Sequence, residues 1–193
     1  MADPIIGVLA LQGAFAKHIE MLKRLNVKAI EVRTPKDLSS CDALIIPGGE
    51  STAMMKQIGF IKMEESLAQF AKAKPVFGTC AGLILMSKQI INDQMQPFKM
   101  VDITVERNAF GRQAESFVTD VEFTTKQGHA KSVPALFIRA PRIRSVGEGV
   151  KVLAEFEGEA VLIQQGKHLA CTFHPELTDD TAIHAFFIKL ISM

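Results

Sequence analysis

Apolar residues are arranged along the chain in two textures, which change near Asn92. Before that point Ile5–Leu11, Ala43–Ile46 and the run into Phe77 are apolar stretches, as expected of strands buried on both faces. Ala14, His18, Met21, Leu22 and Leu25 fall at helical spacing and predict a helix ending near Asn26, with His18 read as a helix-face residue rather than a ligand. Lys28–Val32 reads as a second strand, and Thr34-Pro35 opens a short helical turn through Leu38. Ser51–Ile58 and Glu64–Ala73 read as helices interrupted near Gly59, and a helix from Ala81 to about Ile91 follows the strand before Cys80. This alternation predicts a parallel α/β sheet.

Beyond Asn92 the runs are shorter: Val101–Glu106, Phe117–Phe123, Ala135–Ile138, Val150–Glu155, Ala160–Gln165 and Leu169–Phe173. Gly128, Pro134, Gly147, Gly149 and Gly166 separate them, and Glu157-Gly158 and Gln165-Gly166 have the composition of hairpin turns. This half is predicted to be mostly antiparallel and to extend the edge of the sheet. A last helix over Asp180–Ile191 has Ile183, Phe186, Phe187, Leu190 and Ile191 on its apolar face. No Pro-, Gly- or Ser-rich linker divides the chain. The expected architecture for residues 1–193 is therefore one three-layer α/β domain with a mostly parallel central sheet, helices on both faces and an antiparallel edge extension.

Composition narrows the function classes. The 193 residues are 48% apolar, which suits a packed core, and the net charge of +1 comes from scattered Lys and Arg. No basic run suggests nucleic acid. Three widely spaced cysteines, Cys41, Cys80 and Cys171, make neither a disulfide framework nor a zinc pattern and fit a reducing compartment. Ile5–Leu11 is too short for a signal segment or a membrane span, so a cytoplasmic protein without membrane contact is expected.

Candidate chemistry centres on Gly78-Thr79-Cys80-Ala81-Gly82, a cysteine counterpart of the G-x-S-x-G nucleophile elbow. Its glycines permit a sharp strand-to-helix turn, and the following helix start directs N–H groups at the sulfur and favours thiolate. The competing reading is a buried structural cysteine. Pro47-Gly48-Gly49-Glu50-Ser51-Thr52 leaves the same sheet edge and offers backbone N–H groups to an anion or oxyanion, or else is an ordinary loop with a Ser or Thr cap. Glu106-Arg107-Asn108 and Ile138-Arg139-Ala140-Pro141 put arginines at strand ends. Phe173-His174-Pro175-Glu176 pairs a histidine with a carboxylate, the partners a cysteine nucleophile needs.

Together these segments resemble the class I, triad-type glutamine amidotransferases, a flavodoxin-like fold, and within them the glutaminase subunits of pyridoxal 5′-phosphate synthase. The matching stretches are Gly7–Gly13, Leu44–Thr52, Phe77–Leu83, Val105–Arg112, Phe137–Pro141 and Phe173–Thr178, in family order. The resemblance implies Cys80 as nucleophile, His174 as general base and acid, and Glu176 as its orienting partner. It implies an oxyanion hole from the backbone at Gly48, Gly49 and Ala81. Gly49, Glu50, Ser51, Arg107, Ile138 and Arg139 match glutamine-contacting positions, with the choice between the two arginines for the substrate carboxylate open. It implies L-glutamine as substrate and, as partner, a synthase subunit that receives the ammonia. It implies no metal or organic cofactor, pyridoxal 5′-phosphate being the product of the complex. It also implies that a peptide of the Gly48-Gly49 loop gates the site when the synthase docks. Alternatives are an amidotransferase subunit of another pathway and an elbow-cysteine hydrolase or stress-related binding protein.

Overall fold

The computed structural model describes residues 3–107, 116–124 and 130–192. The first half alternates as β1 (Ile5–Leu9), α1 (Phe15–Arg24), β2 (Lys28–Val32), α2 (Pro35–Ser39), β3 (Ala43–Ile46), α3 (Ser51–Phe60), α4 (Glu64–Ala73), β4 (Val76–Thr79) and α5 (Ala81–Met86). The second half adds β5 (Gln89–Ile90), β6 (Ile103–Glu106), β7 (Phe117–Thr124), β8 (Ala130–Phe137), β9 (Arg142–Val146), β10 (Val150–Phe156), β11 (Glu159–Gln165), β12 (His168–Cys171), a 3-10 turn (Pro175–Leu177) and α6 (Ala182–Ile191).

Among the described residues the central sheet has seven strands in the order β10-β11-β12-β4-β3-β1-β2. The five strands from β12 to β2 are parallel, and β10 and β11 close the edge as an antiparallel hairpin. Continuous apolar runs place side chains on both sheet faces. Ile6, Val8, Ala43, Ile45 and Phe77 pack with α1 and α6 residues such as Leu22, Ile183 and Phe187. Leu9, Leu44, Ile46 and Val76 point the other way, onto Leu38, Met54, Ile58 and Leu67 of α2, α3 and α4. Helices therefore cover both faces, as the α/β pattern predicts. No helix among the described residues is long and apolar enough to cross a membrane.

Several expectations are corrected. Only β10 and β11 extend the edge, while β12 lies inside the sheet beside β4. β7 and β8 form a separate ribbon whose inward residues Val121, Phe123, Val133, Ala135 and Phe137 join the α6 side of the core. β5, β6 and β9 form a three-stranded sheet on the opposite side. Their alternating burial suits half-covered ribbons rather than central strands. Pro134 does not separate strands but sits inside β8, opposite Asp120, in a ribbon where both strands are edges and a missing N–H is tolerated. The helix after Cys80 stops at Met86, because Ser87 turns extended, its hydroxyl caps the Ile84 carbonyl, and Gln89-Ile90 pairs with β6. Glu157-Gly158 is a hairpin turn, both residues at positive φ, whereas the second hairpin turns one residue later than expected, at Gly166-Lys167.

Two contacts hold the elbow at the carboxyl end of the parallel strands. Cys171 is level with Thr79 in the β12–β4 register, and the Cys80 N–H donates to the Cys171 carbonyl at 2.9 Å. Gly82 packs α5 so closely on β3 that a Cβ there would lie 2.0 Å from the Ile46 carbonyl oxygen. Gly82→Ala is therefore expected to destabilise the fold by about 1–3 kcal/mol, the usual range for overpacking, measured by urea denaturation. Unchanged stability would contradict this close approach.

Candidate active site

The elbow is strained. Cys80 has φ 50° and ψ −105°, a region that L-residues rarely occupy and that costs on the order of 1–3 kcal/mol. It is the N-cap of α5, so the turn projects its side chain from the sheet edge while leaving it only 7% exposed. His174 arrives from β12, two residues beyond Thr172, and its N–H donates to the Leu136 carbonyl of β8 at 2.8 Å. Its Nδ1 lies 2.7 Å from Glu176 Oε1, and its side chain is also hydrogen-bonded to Cys80. A Cβ on Gly48 would fall 2.3 Å from His174 Cε1, so only glycine leaves room for the ring.

Burial disfavours charge on His174, but the hydrogen bonds to Cys80 and Glu176, together with their negative charge, outweigh it and raise its pKa to about 10. Burial likewise opposes the Glu176 carboxylate, and His18 and His174 beside it bring the net shift below the ordinary value. His174 therefore keeps both ring protons at neutral pH, with the Glu176 carboxylate on one side and the Cys80 side chain on the other. Burial pushes the Cys41 and Cys171 thiols up. Both are fully buried core residues away from the cleft lining.

A cleft of about 220 Å³ opens in front of Cys80, lined by Gly49, Glu50, Ser51, Cys80, Ala81, Ile84, Arg107, Ile138, Arg139, Pro141 and His174. It brings together every candidate position read from the sequence except Gly48, which packs against His174 from behind, and Glu176, which lies beyond the imidazole. A larger hollow of about 720 Å³ lies at the opposite end of β12, but its lining holds no cysteine, serine, threonine or carboxylate. Glu50, rather than Ser51 or Thr52, caps α3. Its carboxylate accepts from the Thr52 and Ala53 N–H groups at 2.9 and 2.7 Å, so those donors are occupied. Arg107 is held by Asp93 at 2.6 Å and by Thr52 at 3.0 Å, with Glu50 at 3.4 Å. Arg139 sits at φ 42° on the exposed rim. Asn108 to Arg112, the rest of the Val105–Arg112 motif, lie outside the described residues.

Sequence reading missed the groups behind the site. His18, read from the sequence as a helix-face residue near the apolar stripe, is fully buried, its Nε2 3.5 Å from Glu176 Oε2 and 3.2 Å from Thr79 Oγ1. His184 of α6 lies 2.9 Å from its other ring nitrogen. The available signal was a polar residue set in each helix's apolar stripe. Asp93 and Gln12, which bonds the Glu50 carbonyl at 2.7 Å, were missed as supports of the cleft.

The SNO glutamine amidotransferase family matches this chain over residues 8–193. A pyridoxal 5′-phosphate synthase subunit PdxT from Shouchella clausii is 47% identical over 188 residues, covering 97% of this chain and 95% of the relative. A crystal structure of a glutamine amidotransferase superposes with a TM-score of 0.90 at 44% identity, covering 97% of this chain and 99% of that one. The structure of PurLQS from Thermotoga maritima, at 15% identity and a TM-score of 0.67, matches over 99% of this chain and 96% of that one and shares the fold.

In 15N-labelled protein, His174 is expected to remain doubly protonated at pH 8, since its raised pKa keeps the proton bound until the pH approaches about 10. His18 and His184, lowered chiefly by burial, are expected to be neutral at pH 6.5. A His174 titration near the ordinary histidine value would contradict the coupling to Cys80 and Glu176.

Proposed function

Since the chain belongs to the SNO glutamine amidotransferase family, we propose that it hydrolyses L-glutamine to L-glutamate and ammonia as the glutaminase subunit of pyridoxal 5′-phosphate synthase. The observation that carries this reading is a cysteine on a strained elbow, hydrogen-bonded to a histidine that a buried carboxylate orients, facing a cleft with two arginines. All 193 residues serve as one glutaminase domain.

In this mechanism the Cys80 sulfur attacks the side-chain amide carbon of glutamine. Negative charge builds on the amide oxygen, where the backbone N–H groups of Ala81 and Gly49 receive it. Collapse breaks the C–N bond, and His174 gives its proton to the leaving nitrogen, so ammonia departs and a γ-glutamyl thioester remains. His174 then takes a proton from water, which attacks the thioester and releases glutamate. Glu176 holds the imidazole in the orientation that lets one nitrogen serve both steps. Glu50 complements the substrate ammonium, Arg107 and Arg139 recognise its carboxylate, and Ser51 and Ile138 complete the walls. Asp93 and Thr52 hold the Arg107 guanidinium in the cleft before substrate arrives.

The partner is the synthase subunit, which consumes the ammonia, and the complex works in the cytoplasm. PdxT relatives are named as subunits of that synthase. An enclosed path favours the coupled reaction, because free ammonia becomes largely unreactive ammonium at neutral pH. The gate is the Gly48–Gly49 peptide. Neither residue has a Cβ, and the Gly48 carbonyl accepts a long bond, 3.4 Å, from the Ala14 N–H, so rotating this peptide costs little. Docking that aligns its N–H with the oxyanion shifts the population toward the active state.

Glutamate release, measured with and without the synthase subunit, tests the reading. Cys80→Ser is expected to abolish hydrolysis while leaving complex formation intact, and Glu176→Gln to cost less than loss of the nucleophile. The free chain is expected to be slower than the complex by roughly 10²–10³, the worth of one oxyanion donor. Hydrolysis by Cys80→Ser at the wild-type rate would overturn the assignment, and equal rates with and without the synthase would overturn the gate alone.

A further inference from the structure

The proposed triad has a second layer behind it. His18 lies on α1 and His184 on α6, both fully buried, and their rings meet beneath Glu176. His18 Nε2 is 3.2 Å from Thr79 Oγ1 and 3.5 Å from Glu176 Oε2, while its Nδ1 is 2.9 Å from His184 Nε2. Thr79 immediately precedes Cys80. One ring therefore stands between the strand that carries the nucleophile and the carboxylate that orients the base. Glu176 Oε1 is engaged by His174, and Oε2 is buried without a hydrogen bond of ordinary length among the described residues. A carboxylate oxygen buried in this way is costly unless a dipole faces it.

We infer that His18 is a positioning residue for the triad, its Nε2–H directed at Thr79 and the outer oxygen of Glu176 so that the inner oxygen stays on His174. The inference rests on the glutaminase reading of Cys80, His174 and Glu176. The tautomer follows from the partners. With the proton on Nε2, His18 presents a donor to both oxygens, and its Nδ1 accepts from His184 Nε2–H. The reverse tautomer aims a lone pair at a carboxylate oxygen and strands a proton on His184 Nδ1, which has no partner among the described residues. The ionisable groups facing this cluster are Glu176, His174, Cys80 and Cys171, with His184 from α6. Burial lowers the pKa of both His18 and His184, so at neutral pH the neutral imidazole of His18 faces Glu176 as an oriented dipole.

Simple packing is the competing account, because both histidine rings also lie edge-on to Phe77, at 6.3 and 5.7 Å. His18→Leu keeps the volume and removes the donor, whereas His18→Gln places an amide N–H near the position of Nε2. In the complex with the synthase, His18→Leu is expected to lower kcat roughly 10–100-fold, the usual cost of losing a partner behind a reactive group, with KM within about two-fold. His18→Gln is expected to recover most of that loss. In the free chain, iodoacetamide labelling of Cys80 at neutral pH should slow in His18→Leu and recover in His18→Gln. That readout needs no glutamine, so it separates failure of this inference from failure of the glutaminase reading. The 15N shifts of His18 in the wild-type chain should report the Nε2–H tautomer, a check that survives if a variant does not fold. Wild-type kcat and labelling in folded His18→Leu, equal impairment of both variants, or an Nδ1–H tautomer in the wild type would each overturn the proposal.

Discussion

The backbone of Cys80 is the constraint on which the rest of the structure depends. A residue at φ 50° and ψ −105° relaxes unless its neighbours over-determine it. Here three elements do so at once. The Cys80 N–H is tied to the last residue of β12, α5 is pressed onto β3 at Gly82, and β4 is paired on both sides within a sheet buried on both faces. The core therefore stabilises a turn that no local preference would choose, and the turn presents a sulfur at the sheet edge.

The same pairing sets the electrostatics. Because β12 lies directly beside β4, the chain leaving β12 must pass the elbow, and His174 and Glu176 follow within five residues of Cys171. Charges this deeply buried are tolerable only when paired and hydrogen-bonded. His174 and Glu176 meet that condition through each other, with the Cys80 side chain on the far side of the imidazole and the His18 dipole behind the carboxylate. Removing one partner leaves the others exposed to the full cost of burial, so the cluster acts as a unit.

The parallel half of the fold was legible because its inner strands are continuous apolar runs; β3, the edge strand β2 and the helix α4 begin and end where the sequence pattern puts them. The second half was less so. Strands such as β7 and β8 announce a half-buried ribbon by their alternation, but nothing local says which sheet a ribbon joins, and β12 looks like its neighbours although it belongs at the centre. The candidate site was legible wherever chemistry is confined to a short segment, as in the elbow, the Gly-Gly loop and His-Pro-Glu. His18 was not, because its partners Thr79, Glu176 and His184 are brought to it only by packing α1 and α6 against the same sheet face. Glu50 was half legible. The loop pointed to the cleft, but the carboxylate's capping of α3 depends on its rotamer.

The central claim is that Cys80 forms a covalent γ-glutamyl thioester. Rapid acid quenching of the complex during turnover of isotopically labelled glutamine, followed by peptide mass spectrometry, tests it most directly. The account predicts a labelled glutamyl group on the peptide containing Cys80, appearing before free glutamate reaches its steady rate. Turnover with no adduct, or an adduct on Cys41 or Cys171 instead, would contradict it.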